Sequence, residues 1–230
     1  FQDEIHGNVF QQIEKTIDLL FSKYIKANIS YEGIHRIETY EYPKEAIREA
    51  LLNAISHKDY SSGFPIQISV YKDKLLIWND GHLPKNWTTE KLTKEHSSKP
   101  YNPDIANSFF RSGYIESWGR GTIKIINACK VHKIAPPIFS NVAPDFEVTL
   151  INYTLSYLAE KGLKPESIAI ILYVQKHQSI SNSIVQDLCK VSKSTATRYL
   201  NELEENFIEK IGKTGVGTNY VLKGATKGSK

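Results

Sequence analysis

The chain has 230 residues, 40% hydrophobic and 23% charged, the balance of a globular protein with room for one large domain or two small ones. No apolar run reaches membrane-spanning length, no signal peptide opens the chain, and the two cysteines, Cys129 and Cys189, lie far apart; this excludes a disulfide scaffold and reads as free thiols in a reducing, cytoplasmic setting. The net charge of +4 is uneven: residues 164–230 hold ten Lys/Arg against six Asp/Glu and residues 1–163 nineteen of each, so the basic excess sits in the last third and points weakly to nucleic acid there.

Beginning at Phe1 and lacking methionine altogether, the chain reads as a fragment preceded by an upstream region. Residues 8–26 place Val9, Ile13, Ile17, Leu20 and Tyr24 on one side, which predicts a helix, and Ile34 to Tyr40 reads as extended. The stretch from Pro43 to Tyr60, PKEAIREALLNAISHKDY, is the one around which the other elements are arranged. At helical spacing Ile47, Ala50, Leu51 and Ala54 form an apolar face, with Glu49, Asn53, Ser56 and Tyr60 opposite. Taken alone, this is a helix with a wet polar face. A carboxylate and a carboxamide one turn apart can also hold a hydrated divalent cation and orient a water.

A hairpin comes next, with Ile66, Ile68 and Val70 alternating, a turn at Lys72-Asp73-Lys74, and a return from Leu75 to Trp78. It runs into Asn79-Asp80-Gly81, either a plain turn or a place where an acceptor side chain meets an exocyclic amine while Gly81 admits close approach. Leu92 to Ser98 is polar, reads as a mobile loop, and precedes a short helix over Ile105 to Phe110. Ser117-Trp118-Gly119-Arg120-Gly121-Thr122 then opens another helix, and glycines in that position leave backbone N–H groups free for phosphate oxygens. Asp145 to Ile151 reads as a last strand. Gly212-Lys213-Thr214 echoes a Walker A ending but lacks its upstream glycine and following helix.

In this order the pieces resemble the GHKL (gyrase, histidine kinase, MutL) ATPase superfamily, and within it the divergent branch of bacterial proteins called RecG-related or transcriptional regulators. REALLNAISHKDY resembles the N box, WNDGHLP the first glycine box and SWGRGTIKI the second, with HSSKPYNPDIANSFFRSGYIE resembling the loop and lid between them. The resemblance implies an α+β sandwich of a mixed sheet with helices on one face, binding ATP and Mg²⁺. It implies Glu49 as water-activating base, Asn53 as Mg²⁺ ligand, Asn79 at the adenine-binding position with Asp80 as a substitute acceptor, and Gly81, Gly119, Gly121 and Thr122 around the nucleotide. Asn79 stands where the superfamily has Asp, and Leu83 where it has a second Gly. Both are usual in the divergent branch.

Beyond Ile151, residues 153–164 read as a linker with a short helix and a hinge. Helices come next over Ser167 to Lys176, Asn182 to Cys189 and from an N-cap at Ser192, then strands at Ile208 to Ile211 and Tyr220 to Leu222. Three helices and a β-hairpin resemble a winged helix-turn-helix domain over 165–223, with a disordered tail at 224–230. Lys193, Ser194, Thr195, Thr197 and Arg198 early in the third helix, with Lys213 on the wing, suit phosphate and base-edge contacts. The resulting expectation is a nucleotide-responsive DNA-binding regulator, dimeric if its site is palindromic. The alternatives are an ATP-hydrolysing enzyme working with a missing upstream domain, or a degenerate scaffold whose box residues only cap and turn the fold.

Overall fold

The computed structural model describes residues 2–115, 119–142, 144–212 and 218–223. Helix α1 (Val9–Leu19) is closed at its start by a reciprocal pair in which the Asn8 side chain accepts from the Gln11 N–H and the Gln11 side chain accepts from the Asn8 N–H. The chain continues through a π-helical turn (Leu20–Tyr24) into a two-stranded ribbon, β1 (Ala27–Glu32) and β2 (His35–Tyr40). Helix α2 (Lys44–His57) follows, then β3 (Gln67–Val70), β4 (Lys74–Asp80), a 3₁₀ turn (Thr89–Thr93), α3 (Pro103–Arg111), α4 (Gly121–His132), β5 (Ile138–Val142) and β6 (Asp145–Ile151).

Strands β3 to β6 form one sheet in the order β3-β4-β6-β5, and every pairing is antiparallel. The mixed sheet expected from the sequence is therefore corrected. β3–β4 and β5–β6 are hairpins, and the two hairpins meet through β4 and β6, so no parallel crossover arises. The architecture is α+β, with α2 and α4 packed together over one face of the sheet.

Directly opposed residues share a face, and Leu75–Leu150, Ile77–Val148 and Asn79–Phe146 are opposed pairs on β4 and β6. Their aliphatic members join Ile47, Ala50 and Ala54 of α2 and Ile125 and Cys129 of α4 in the principal core. A second cluster of Ile13, Leu51, Leu52, Ile55 and Phe109 ties α1 and α3 to the other side of α2. This helix is therefore covered on nearly all sides, and Glu49 and Ser56 on its supposedly wet face are buried. Tyr60 lies beyond the helix end and bonds back to the Ile55 carbonyl at 3.1 Å.

The remaining chain holds α5 (Leu155–Glu160), α6 (Pro165–His177), β7 (Ile180–Ser181), α7 (Asn182–Cys189), α8 (Lys193–Glu204), β8 (Ile208–Ile211) and β9 (Asn219–Leu222), with an antiparallel sheet β7-β9-β8. Its own core includes Ile170, Ile171, Val174, Val185, Leu200 and Ile208, and Leu158 of α5 is buried in it. Ser181 and Ser192 cap α7 and α8, and Lys190 in the left-handed region (φ 53°) makes the tight corner between them.

Candidate functional site

A crevice opens between the second half of α2, the end of β4 and the start of α4. Asn53, His57, Asn79, Gly81, Gly121 and Thr122 line it, with Ile77, Phe146 and Val148 as an apolar floor. Helix α2 is fixed there by Asn102, whose side-chain amide donates to the carbonyls of Ser56 (3.2 Å) and Lys58 (2.8 Å) and so satisfies groups the helix end leaves open.

Asn79 is 2% exposed and points into the crevice from β4, opposite Phe146. Asp80, the next residue, is turned to the other face of the sheet by the two-residue strand period and does not line the crevice, so the structure does not bring this substitute acceptor to the others. Gly81 is required by close approach: a Cβ there would lie 2.6 Å from the His57 carbonyl oxygen and 2.7 Å from Asn79 Nδ2.

The second glycine bend closes the crevice from α4. Gly119 has φ +76°, a region that favours glycine, and a Cβ there would overlap the His96 carbonyl. A Cβ on Gly121 would overlap Glu49 Oε1 and lie 2.9 Å from Asn53 Nδ2, so the acid and the amide of α2 sit directly against this bend. Helix α4 begins at Gly121 with no side-chain cap, leaving its first N–H groups turned toward the crevice end. Ser117 and Trp118 of the same box lie outside the described residues.

Four residues of the loop at this site have no role that the sequence alone assigns. His96 Nε2 lies 3.2 Å from Thr122 Oγ1, and its ring meets that of Trp87 edge-on at 5.0 Å. Lys91 Nζ sits 4.2 Å from the Trp87 ring centre and Lys99 Nζ 5.9 Å from it. Leu92, His96 and Ser98 of the stretch read as a mobile loop line the crevice. Burial, with His96 as a secondary influence, pushes His57 down to about 4, so it is neutral at physiological pH. His57 was legible as part of the first motif, and His96 and Lys99 as part of the stretch resembling the loop and lid, though with no role assigned; Trp87 lies outside every motif.

Residues 63–150 match the family described as “Putative ATP-dependent DNA helicase recG C-terminal”. This match supports a GHKL-like, ATPase-type domain. Its span holds both glycine bends and Asn79, while Glu49 and Asn53 precede it. In fold, the chain is similar to the crystal structure of the DIP2311 protein from Corynebacterium diphtheriae, with 22% identity and a TM-score of 0.58 over 97% of this chain and 48% of that one. The chain therefore spans about half the length of that protein. Among curated proteins, none matches the chain.

The residues present fit a nucleotide with a divalent cation. Asn53 Nδ2 is buried without a hydrogen-bond partner, and a half-turn of its amide offers an oxygen at the same place. The absence of a side chain at Gly121 lets Glu49 and Asn53 lie against the uncapped start of α4, whose N–H groups suit phosphate oxygens.

In the C-terminal part, Lys193, Ser194, Thr197 and Arg198 are exposed on the first turns of α8 and Thr195 is half-buried. Several are already engaged: Ser192 Oγ lies 2.9 Å from Ser194 Oγ and 3.0 Å from Thr195 Oγ1, and Thr197 Oγ1 donates to the Lys193 carbonyl at 2.9 Å. Arg198 pairs with Glu202, one turn on, at 3.8 Å. Lys213 lies outside the described residues. No helix among the described residues is long and apolar enough to cross a membrane.

Proposed function

We propose that the chain is a nucleotide-responsive, DNA-binding transcriptional regulator acting in the cytoplasm. ATP with Mg²⁺ occupies the crevice between α2, β4 and α4, and a winged helix formed from α6 to β9 contacts DNA. The observation that carries the nucleotide half is the convergence of Asn53, Asn79, Gly81 and Gly121, distant in sequence, on a single crevice, with Glu49 lying against Gly121. Asn79 accepts from the base amine, and the first N–H groups of α4 and the Thr122 hydroxyl meet phosphate oxygens. Asn53 holds Mg²⁺, which neutralises phosphate charge. Isothermal titration of ATP·Mg²⁺ should give a saturable heat, with affinity at least about tenfold lower in Asn53→Ala. No heat from wild type would leave the degenerate-scaffold reading.

The burial of Glu49 against Gly121 favours slow hydrolysis as a second reading. Glu49→Gln would then abolish turnover while retaining the titration heat. The DNA half is supported by the charge distribution and by the exposure of Lys193 and Arg198 on α8. Lys193→Ala with Arg198→Ala should weaken a mobility shift and reduce its salt slope by about one per lost phosphate contact.

A further inference from the structure

The ribbon of β1 and β2 is built differently from every other sheet element among the described residues. Glu32 pairs with His35 across a two-residue turn, Gly33–Ile34, with Gly33 at φ +61° as that turn requires of its first residue. From residue 28 to 39 every residue is exposed. Four of them are large and apolar: Ile29 is 53% exposed, Tyr31 71%, Ile34 93% and Ile37, opposed to Ser30 on the other face, 38%. Such a patch is near the size of the largest found on ordinary monomers, on the order of 400 Å², and calls for a partner.

The two edges of the ribbon differ. The β2 edge carries Arg36 and Glu38, ion-paired at 3.5 Å, and is blunted by charge. The β1 edge, ANISYE, has no Lys, no Pro and no bulge, and its one charge is the terminal Glu32. The turn makes Glu32–His35 a hydrogen-bonded pair. Alternation along the ladder then directs the main-chain N–H and C=O groups of Ile29 and Tyr31 outward, away from β2.

We propose that this edge pairs with the same edge of a second copy of the chain, antiparallel about a twofold axis at Ser30. Ile29 then exchanges both main-chain hydrogen bonds with the partner's Tyr31, and Tyr31 with the partner's Ile29. Their side chains form a central apolar cluster on one face, flanked by Arg36 and Glu38 of each copy, an apolar middle with a polar rim. Glu32 faces the partner's Asn28, so no like charges oppose. A lipid surface would take the apolar side chains but leave the outward N–H and C=O groups unsatisfied. The ribbon has two acids and one arginine, which gives nucleic acid nothing to hold. The contact is smaller than the roughly 800 Å² per partner of stable complexes, so the dimer is reversible, with a dissociation constant on the order of 10 µM.

Sedimentation equilibrium from about 1 to 300 µM should show a monomer–dimer equilibrium, and Tyr31→Lys should raise its dissociation constant at least about tenfold with unchanged circular dichroism. The register is read separately in a Cys189→Ser background, where the remaining Cys129 is buried. Under copper–phenanthroline oxidation, Ser30→Cys should give a covalent dimer, because the opposed Cα atoms lie about 4.5 Å apart. Glu32→Cys should not, because its two copies are four residues out of register, roughly 13 Å. A chain that stays monomeric at every concentration, including one that binds lipid vesicles through Tyr31 instead, overturns the proposal. So does a dimer indifferent to Tyr31→Lys, or crosslinking through Glu32→Cys in preference to Ser30→Cys.

Discussion

Two carboxamides, Gln175 and Asn53, show how differently the two parts of the molecule treat polar groups. Gln175 of α6 has both ends of its amide engaged. Its Oε1 accepts from the Tyr153 N–H at 2.7 Å, and its Nε2 donates to Asn152 Oδ1 at 3.0 Å and the Tyr153 carbonyl at 3.2 Å. Asn53 of α2 presents a buried Nδ2 with no partner, and Ser56, one turn on, does the same with its hydroxyl. At the crevice α4 starts without a side-chain cap, whereas α1 carries a capping box and α7 and α8 carry serine caps. Satisfied polar groups hold the C-terminal part in shape. The unsatisfied amide in the crevice, that of Asn53, costs stability and leaves bonding capacity for something that enters, as a binding site requires.

The strongest way to break this comparison is Gly119→Ala. A methyl group there meets the His96 carbonyl while the backbone stays in the left-handed region, so the substitution should cost about 3 kcal/mol in urea unfolding. A loss below about 1 kcal/mol would mean that the loop over the crevice yields easily and does not brace the site.

Next in size is the contrast between the carboxamides themselves. Gln175→Ala should lower stability by about 2–3 kcal/mol, because it orphans the Tyr153 N–H and removes two further bonds. Asn53→Ala should cost under about 1 kcal/mol, because its buried amide nitrogen has nothing to lose. Equal losses in parallel denaturation curves would erase the difference between the two parts.

A third test, whose effect vanishes above about pH 6.5, sharpens it through pH. His57 in the folded chain is held down at about 4, below its ordinary value near 6.5. Between those values the unfolded chain binds a proton that the folded chain does not. Stability attributable to His57 is therefore intact above about pH 6.5 and falls as pH drops toward 4, by at most about 2–3 kcal/mol. Subtracting the urea-midpoint profile of His57→Gln from that of wild type isolates this contribution from the carboxylates. A flat difference would place His57 in contact with water.

Much of the fold was legible because its periods are strong. The strand over Asp145–Ile151 and the helix over Asn182–Cys189 stand where the alternation and the helical spacing put them. β1, β5 and β7 escaped notice for different reasons: ANISYE lacks clean alternation, IFSNV comes directly after Pro136 and Pro137, and β7 is two residues long. At the site, Glu49 and Asn53 could be singled out by residue type and spacing. The burial of Glu49 could not, because periodicity identifies the face that packs on the sheet but not α1 and α3 closing over the other side.

By itself, the sequence determined which residue types were available to do chemistry and where the main helices and strands would lie. These are local matters, settled by side-chain shape, backbone freedom and the repeat of each element. Only the tertiary structure decided that Asn79 faces the crevice while Asp80 turns away, that His96 reaches Thr122, and that the ribbon stands clear of the body with its apolar edge open. Each of those depends on strand parity or on contacts between residues far apart in the chain, which no local pattern encodes.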